Sequence, residues 1–90
     1  MRVLILGATG MLGSATLRVL MERNDWSVYG SIRSEISKQL FPNNLRQKLI
    51  TVGDLTQLDQ LKDVLKKVQP QVVVNCISPR EVGRQESFEL

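Results

Sequence analysis

Three glycines spaced three apart, Gly7, Gly10 and Gly13, join a short apolar run, Arg2 to Leu6, to a stretch whose apolar residues recur at helical spacing. The order is strand, glycine turn, helix. A helix that begins straight after such a turn points its first unbonded amides, and the positive end of its dipole, at whatever lies beyond the strand. That is a place for an anion, and a phosphate suits it. Each glycine has its own task in this reading. Gly7 turns the chain sharply off the strand, Gly10 lets the backbone approach a diphosphate with no Cβ between them, and Gly13 lets the helix lie close against the sheet. The residues offered to a dinucleotide pyrophosphate are therefore Gly7, Thr9, Gly10, Met11, Leu12 and Gly13.

Composition narrows the partners. Ninety residues make one small domain, which buries roughly two-thirds of the surface its unfolded chain exposes, so the core is thin. No apolar run approaches the length of about 20 residues that crosses a bilayer, and the N-terminus has no secretory pattern. A cytoplasmic protein with no membrane partner is expected. The lone Cys76 has no second cysteine to bond and no histidine to pair with, which excludes a zinc site or a Cys-His catalytic pair within this chain. A net charge of +3 is scattered among acidic residues, with one Trp, one Tyr and two Phe, so no nucleic-acid footprint is present.

Past the turn, Leu12, Thr16, Val19 and Leu20, with Ala15 beside them, are expected to lie on the sheet, and Asn24-Asp25 to end the helix, Asn tolerating left-handed backbone. A second strand is predicted over Trp26 to Ile32. Arg33 follows it, twenty positions beyond Gly13, where an adenosine ribose would meet the sheet. A carboxylate there would accept from the 2′-hydroxyl of NAD, whereas Arg33 offers a fork of donors matched to a 2′-phosphate, and Ser31 adds a hydroxyl. NADP is favoured over NAD. Glu35 close by weakens that electrostatic argument.

A short helix over Ser34 to Leu40 and a turn cluster at Phe41-Pro42-Asn43-Asn44 lead to a third strand, Lys48 to Val52, which runs into Gly53-Asp54-Leu55. Alone, Asp54 reads as a turn or capping carboxylate. Thr56-x-x-Asp59 is a capping-box pattern opening a helix with Leu58, Leu61, Leu65 and Val68 on one face beside Val64, and Pro70 follows as its stop. The last predicted strand, Val72 to Ile77, is apolar on both faces, as in the interior of a parallel sheet. Strand and helix thus alternate, the pattern of a Rossmann-like, doubly wound α/β fold. Right-handed crossovers fix the strand order as 3-2-1-4, with the ligand crevice between strands one and four. Asn75, Cys76 and Ile77 then face the glycine turn across that crevice.

Together, Gly7-Ala8-Thr9-Gly10-Met11-Leu12-Gly13, Arg33, Asp54-Leu55 and Pro70-Gln71-Val72-Val73-Val74-Asn75-Cys76-Ile77-Ser78 resemble the N-terminal part of the extended short-chain dehydrogenases/reductases. Within them the nearest likeness is to dTDP-dehydrorhamnose reductases and their sugar-nucleotide-binding relatives, and it extends to about Arg80. The resemblance implies NADPH-dependent reduction of a keto-sugar carried on a nucleotide, with the Asp54 carboxylate accepting from the adenine amino group and Leu55 beside it. Two other readings stay open: a non-catalytic NADP-sensing module, and a nucleotide-sugar epimerase or dehydratase that holds NAD, against which Arg33 argues.

One departure is large. The resemblance implies a Tyr-x-x-x-Lys pair on a later helix, in which the tyrosine donates a proton to the substrate carbonyl, and this chain has no such pair. Its single tyrosine, Tyr29, falls in a strand, so no catalytic residue is assigned. A fourth strand of interior character at a sheet edge also invites association. The expectation is the front portion of a longer enzyme, or an edge covered by a partner or by the tail, Glu81 to Leu90.

Overall fold

The computed structural model describes residues 1–55 and 57–77 and contains one four-stranded parallel sheet. β1 (Arg2–Leu6), β2 (Ser27–Ile32), β3 (Leu49–Thr51) and β4 (Val72–Asn75) lie in the order β3-β2-β1-β4, the order that right-handed crossovers require. β1 sits inside the sheet, with Val3 beside Val28 on one side and beside Val72 on the other. Its apolar side chains alternate between the two faces. Val3 and Ile5 pack with Leu17 of α1 (Met11–Leu20), Phe41, and Leu45 of α2 (Asn43–Arg46). Leu4 and Leu6 pack with Val64 and Val68 of α3 (Leu58–Val68) on the opposite face. Helices on both faces make the sheet doubly wound. Among the described residues no helix is long and apolar enough to cross a membrane.

α1 meets the sheet through a face that is only in part the expected one: Leu20 packs on the core and Thr16 Oγ1 lies 4.0 Å from the Cys76 sulfur, but the rest of the stripe turns outward. Gly13 and Leu17 are its buried residues, whereas Leu12 is 66% and Val19 62% exposed, and Ala15 is exposed too. The cause is Gly13. A glycine pressed against backbone fixes the rotation of the helix, and at 3.6 residues per turn the residue four further on, Leu17, must then point inward. Nor does Asn24 end the helix in left-handed backbone. The chain closes earlier through turn bonds, Met21 N–H to Leu17 O at 2.9 Å and Arg23 N–H to Leu20 O at 3.0 Å, and Arg23 stacks 4.2 Å from the Trp26 ring centroid.

Two further expectations are corrected. Phe41 is a core residue, 3% exposed, because Pro42 begins the short helix α2 and folds Phe41 and Leu45 under it. α3 is capped by Gln57 with no side-chain bond, which makes Asp59 its second residue rather than the third that a capping box needs, and Leu58 is 62% exposed. Thr56 itself lies outside the described residues. The helix ends through Gln69 in left-handed backbone, φ 50, just ahead of Pro70. A 3-10 helix, Glu35–Leu40, occupies the predicted short helical segment. Among the described residues β4 is one edge of the sheet and β3 the other, and Val72 and Val73 of β4 are 40% and 44% exposed. Ser78 and the tail from Glu81 to Leu90 lie outside those residues.

Candidate functional site

The glycine turn is built by backbone geometry and fastened by a serine. Gly7 has φ +81, in the region that favours glycine, and a Cβ there would stand 3.0 Å from Ile77 Cα and 3.1 Å from the Cys76 carbonyl oxygen. Its N–H donates to the Ser31 hydroxyl oxygen at 3.0 Å, while Ala8 N–H donates to the Ser31 carbonyl at 2.9 Å. The hydroxyl of Ser31 thus accepts a hydrogen bond from the turn, and Ser31 is only 1% exposed. A Cβ on Gly13 would collide with the Gly7 carbonyl oxygen, so α1 begins in backbone contact with the turn.

Gly10, the N-cap of α1, is different: a Cβ there meets nothing within 4 Å. Among the described residues, Ser14 N–H is the first helical amide to find a partner, the Gly10 carbonyl at 2.9 Å. The amides of Met11, Leu12 and Gly13 therefore face outward, with no side-chain cap and no acidic residue in the first turn to satisfy them. Three such amides at the positive end of a ten-residue helix, behind a Gly10 whose Cβ position is clear, fit a diphosphate. Met11 and Leu12 are 91% and 66% exposed at this helix start.

Beside the turn lies a narrow cleft lined by Gly7, Thr9, Ser31, Arg33, Asp54, Leu55 and Ile77, which brings together seven of the thirteen residues singled out by sequence. Ile32, Val52 and Gly53 also line it. The signal for Gly53 is a glycine directly after a strand, and it has φ +71. Arg33 is exposed and, among the described residues, has no ion-pair partner. Asp54 accepts from Gln57 N–H at 3.1 Å through its main-chain carbonyl. Two residues of the β4 end do not join the cleft. Asn75 turns its Oδ1 back to accept from Ile77 N–H at 3.0 Å, and Cys76 packs into the core, its Sγ 4.0 Å from Thr16 Oγ1.

Glu35 follows Arg33 closely but is engaged elsewhere. Thr51 Oγ1 donates to its Oε2 at 2.7 Å, and Lys38 Nζ stands 3.2 Å from its Oε1. These two donors, the Thr51 hydroxyl first, hold the Glu35 carboxyl below its ordinary value of 4.5. Tyr29 is no proton donor to the cleft: its ring lies within β2, with Lys48 Nζ 4.9 Å from its centroid. The arrangement therefore holds positive character at two places, Arg33 on the narrow cleft and the α1 amides that follow Gly7 and Thr9 of its wall. It suits a long ligand with a diphosphate at one end and a further anionic group at the other.

Comparisons with known proteins agree with this geometry. Sanguinarine reductase of Eschscholzia californica is 31% identical over 85 residues, which is 93% of this chain and 30% of that protein. The crystal structure of yeast methylglyoxal/isovaleraldehyde reductase Gre2 complexed with NADPH superposes with a TM-score of 0.70 at 29% identity, over 88% of this chain and 25% of that one. The chain thus spans less than a third of the length of either relative. Neither relative is named for a nucleotide sugar. The family described as NAD dependent epimerase/dehydratase matches residues 3–89, from the first strand through the glycine turn and both helical layers, and the chain belongs to that family.

Proposed function

We propose that this chain is the NADP(H)-binding portion of a short-chain reductase, with NADPH lying across the ends of β1 and β4. The observation that carries the reading is the position of Arg33, exposed and unpaired among the described residues, on the same cleft as the glycine turn. The amides of Met11, Leu12 and Gly13 would hold the diphosphate, the Arg33 guanidinium the 2′-phosphate, and the Asp54 carboxylate, with Leu55 beside it, the adenine amino group. Bound there, the cofactor supplies hydride to a carbonyl. Ser31 serves by holding the Gly7 amide, and Thr9 and Ile77 wall the cleft. The solved relative bound to NADPH supports this choice over NAD.

Binding of NADPH and NADH to the folded chain, followed by calorimetry, tests the reading. Tighter binding of NADPH is expected, and Arg33→Asp should weaken it about ten-fold or more while sparing NADH, since a hydrogen bond to a charged group is removed. No binding of either at millimolar concentration, or equal losses for both, refutes it. The finer reading, a keto-sugar carried on a nucleotide, rests on Gly10-Met11-Leu12-Gly13 and the Val72–Asn75 strand, and competition of dTDP-sugars against small aldehydes in the full-length enzyme tests it. The family's description favours one second reading, an epimerase or dehydratase that holds NAD; tighter binding of NADH would support it. The edge of β4, unpaired among the described residues, further supports association, and a concentration-independent monomer in sedimentation would reject that part.

A further inference from the structure

The 3-10 helix Glu35–Leu40 places a carboxylate two residues beyond the guanidinium that the proposed function assigns to the 2′-phosphate. Such a carboxylate is a hazard. Left to itself on a surface, Glu35 competes with the phosphate for Arg33 and repels the phosphate directly. Yet both of its oxygens are taken, Oε2 by the Thr51 hydroxyl at 2.7 Å and Oε1 by Lys38 Nζ at 3.2 Å, and Arg33 has no ion-pair partner among the described residues.

The two donors are themselves held. Thr51 is the last residue of β3 and pairs in register with Ile32, the residue before Arg33, so it is fixed in the sheet right beside the selecting cation. Lys38 is anchored through its main chain, since its carbonyl accepts from Arg46 Nε at 3.0 Å, and the same Nε donates to the Phe41 carbonyl at 2.8 Å. Phe41 in turn is buried in the core. A sheet residue and a core-anchored turn thus converge on one exposed carboxylate.

We propose that Thr51 and Lys38 are specificity-determining positioning residues: they restrain the Glu35 carboxylate away from Arg33, so that the guanidinium meets the cofactor's 2′-phosphate uncompensated. The inference rests on the NADPH reading above and deepens it. Thr51 acts through Glu35 and not through the cofactor, which makes its effect electrostatic and reversible by neutralising Glu35.

The test is the ratio of NADPH to NADH affinity, measured by calorimetry on the folded chain for the parent, Thr51→Val, Lys38→Met, Glu35→Gln, and Thr51→Val combined with Glu35→Gln. Thr51→Val keeps the shape and every charge, and is expected to lower the ratio about two- to five-fold, the range for exposed ion pairs. The drop should be larger at about 20 mM than at about 200 mM salt, because exposed charges are screened. Lys38→Met should lower it in the same direction. Adding Glu35→Gln to Thr51→Val should restore the parent ratio or exceed it. An unchanged ratio in Thr51→Val overturns the proposal, and so does a lowered ratio that Glu35→Gln fails to restore, since the contact would then only stiffen the turn. A parent chain with no preference for NADPH would instead overturn the reading beneath it, and that result is in hand before any variant is made.

Discussion

Replacing Gly13 with Ala adds one methyl group to α1, and in an ordinary helix interior that exchange stabilises by about 1 kcal/mol. Here the sign reverses. The new Cβ would stand within the contact shell of the Gly7 carbonyl oxygen, 2.9 Å from Gly7 C and 3.1 Å from Ala8 Cα. All three are backbone atoms, so none can rotate aside. Gly7 is held at φ +81 by its bond to Ser31, and the fully buried Ala8 is bonded to the same residue. The helix must therefore back away, carrying Leu17, which is 0% exposed, out of its seat. Overpacking reaches about 3 kcal/mol. Less the gain in helix propensity, the net loss is about 2 kcal/mol, or roughly 8–16 °C in the melting temperature of a domain this size. Thermal melting by far-ultraviolet circular dichroism measures it. Gly10→Ala is the control: its Cβ meets nothing within 4 Å and its φ is −71, so it should melt within about 4 °C of the parent yet bind NADPH at least ten-fold more weakly, roughly the loss from a blocked phosphate contact. A Gly13→Ala chain that melts at or above the parent would show that the helix and turn are not in contact.

Other expectations follow from burial and charge. Leu17→Ala should cost ~3–5 kcal/mol in urea unfolding and Leu12→Ala less than about 0.5 kcal/mol; similar losses would return Leu12 to the sheet face. The Glu35 carboxyl is depressed in the folded chain, so what it adds to stability is present above its ordinary value of 4.5 and is lost as pH falls through the folded value. The difference in urea midpoint between the parent and Glu35→Gln should accordingly shrink toward zero as pH drops below that value, and a difference that persists at pH near 2 argues against the bonds to Thr51 and Lys38.

The topology was legible because it rests on features with one physical meaning. Glycines between an apolar run and a helix demand a tight turn, and Val72-Val73-Val74 cannot be mistaken for a surface loop. The phase of α1 was not legible. Leu12, Ala15, Val19 and Leu20 make as good a stripe as Gly13, Leu17 and Leu20, and only the closeness of Gly13 to the Gly7 carbonyl, a contact between backbones, chooses between them. Phe41 was misplaced for a related reason, since Pro42-Asn43-Asn44 reads as a turn, and a turn beneath which an aromatic ring is folded differs from an open one only in tertiary contacts. At the cleft, residues that contribute backbone or stand at strand ends could be found from spacing. Side-chain direction could not: Cys76 turns into the core, Asn75 spends its Oδ1 on the Ile77 N–H, and the Thr51–Glu35 bond joins residues sixteen apart in sequence.

The position of β1 has a consequence for how the protein is made. β1 precedes the other three strands in the chain yet is an inner one, bonded on one side to β2 and on the other to β4, and Arg2 is tied to Gln71 through N–H to Oε1 at 3.0 Å and through Gln71 N–H to the Arg2 carbonyl at 2.8 Å. Until residues near 75 have been synthesised, Val3, Leu4 and Ile5 have one unbonded edge in the growing chain, and closing it requires the most sequence-distant pairing in the sheet. A nascent chain that stalls before β4 emerges would present the β1 edge to its neighbours on the same message, a route to aggregation through β1 that pairing with β4 closes.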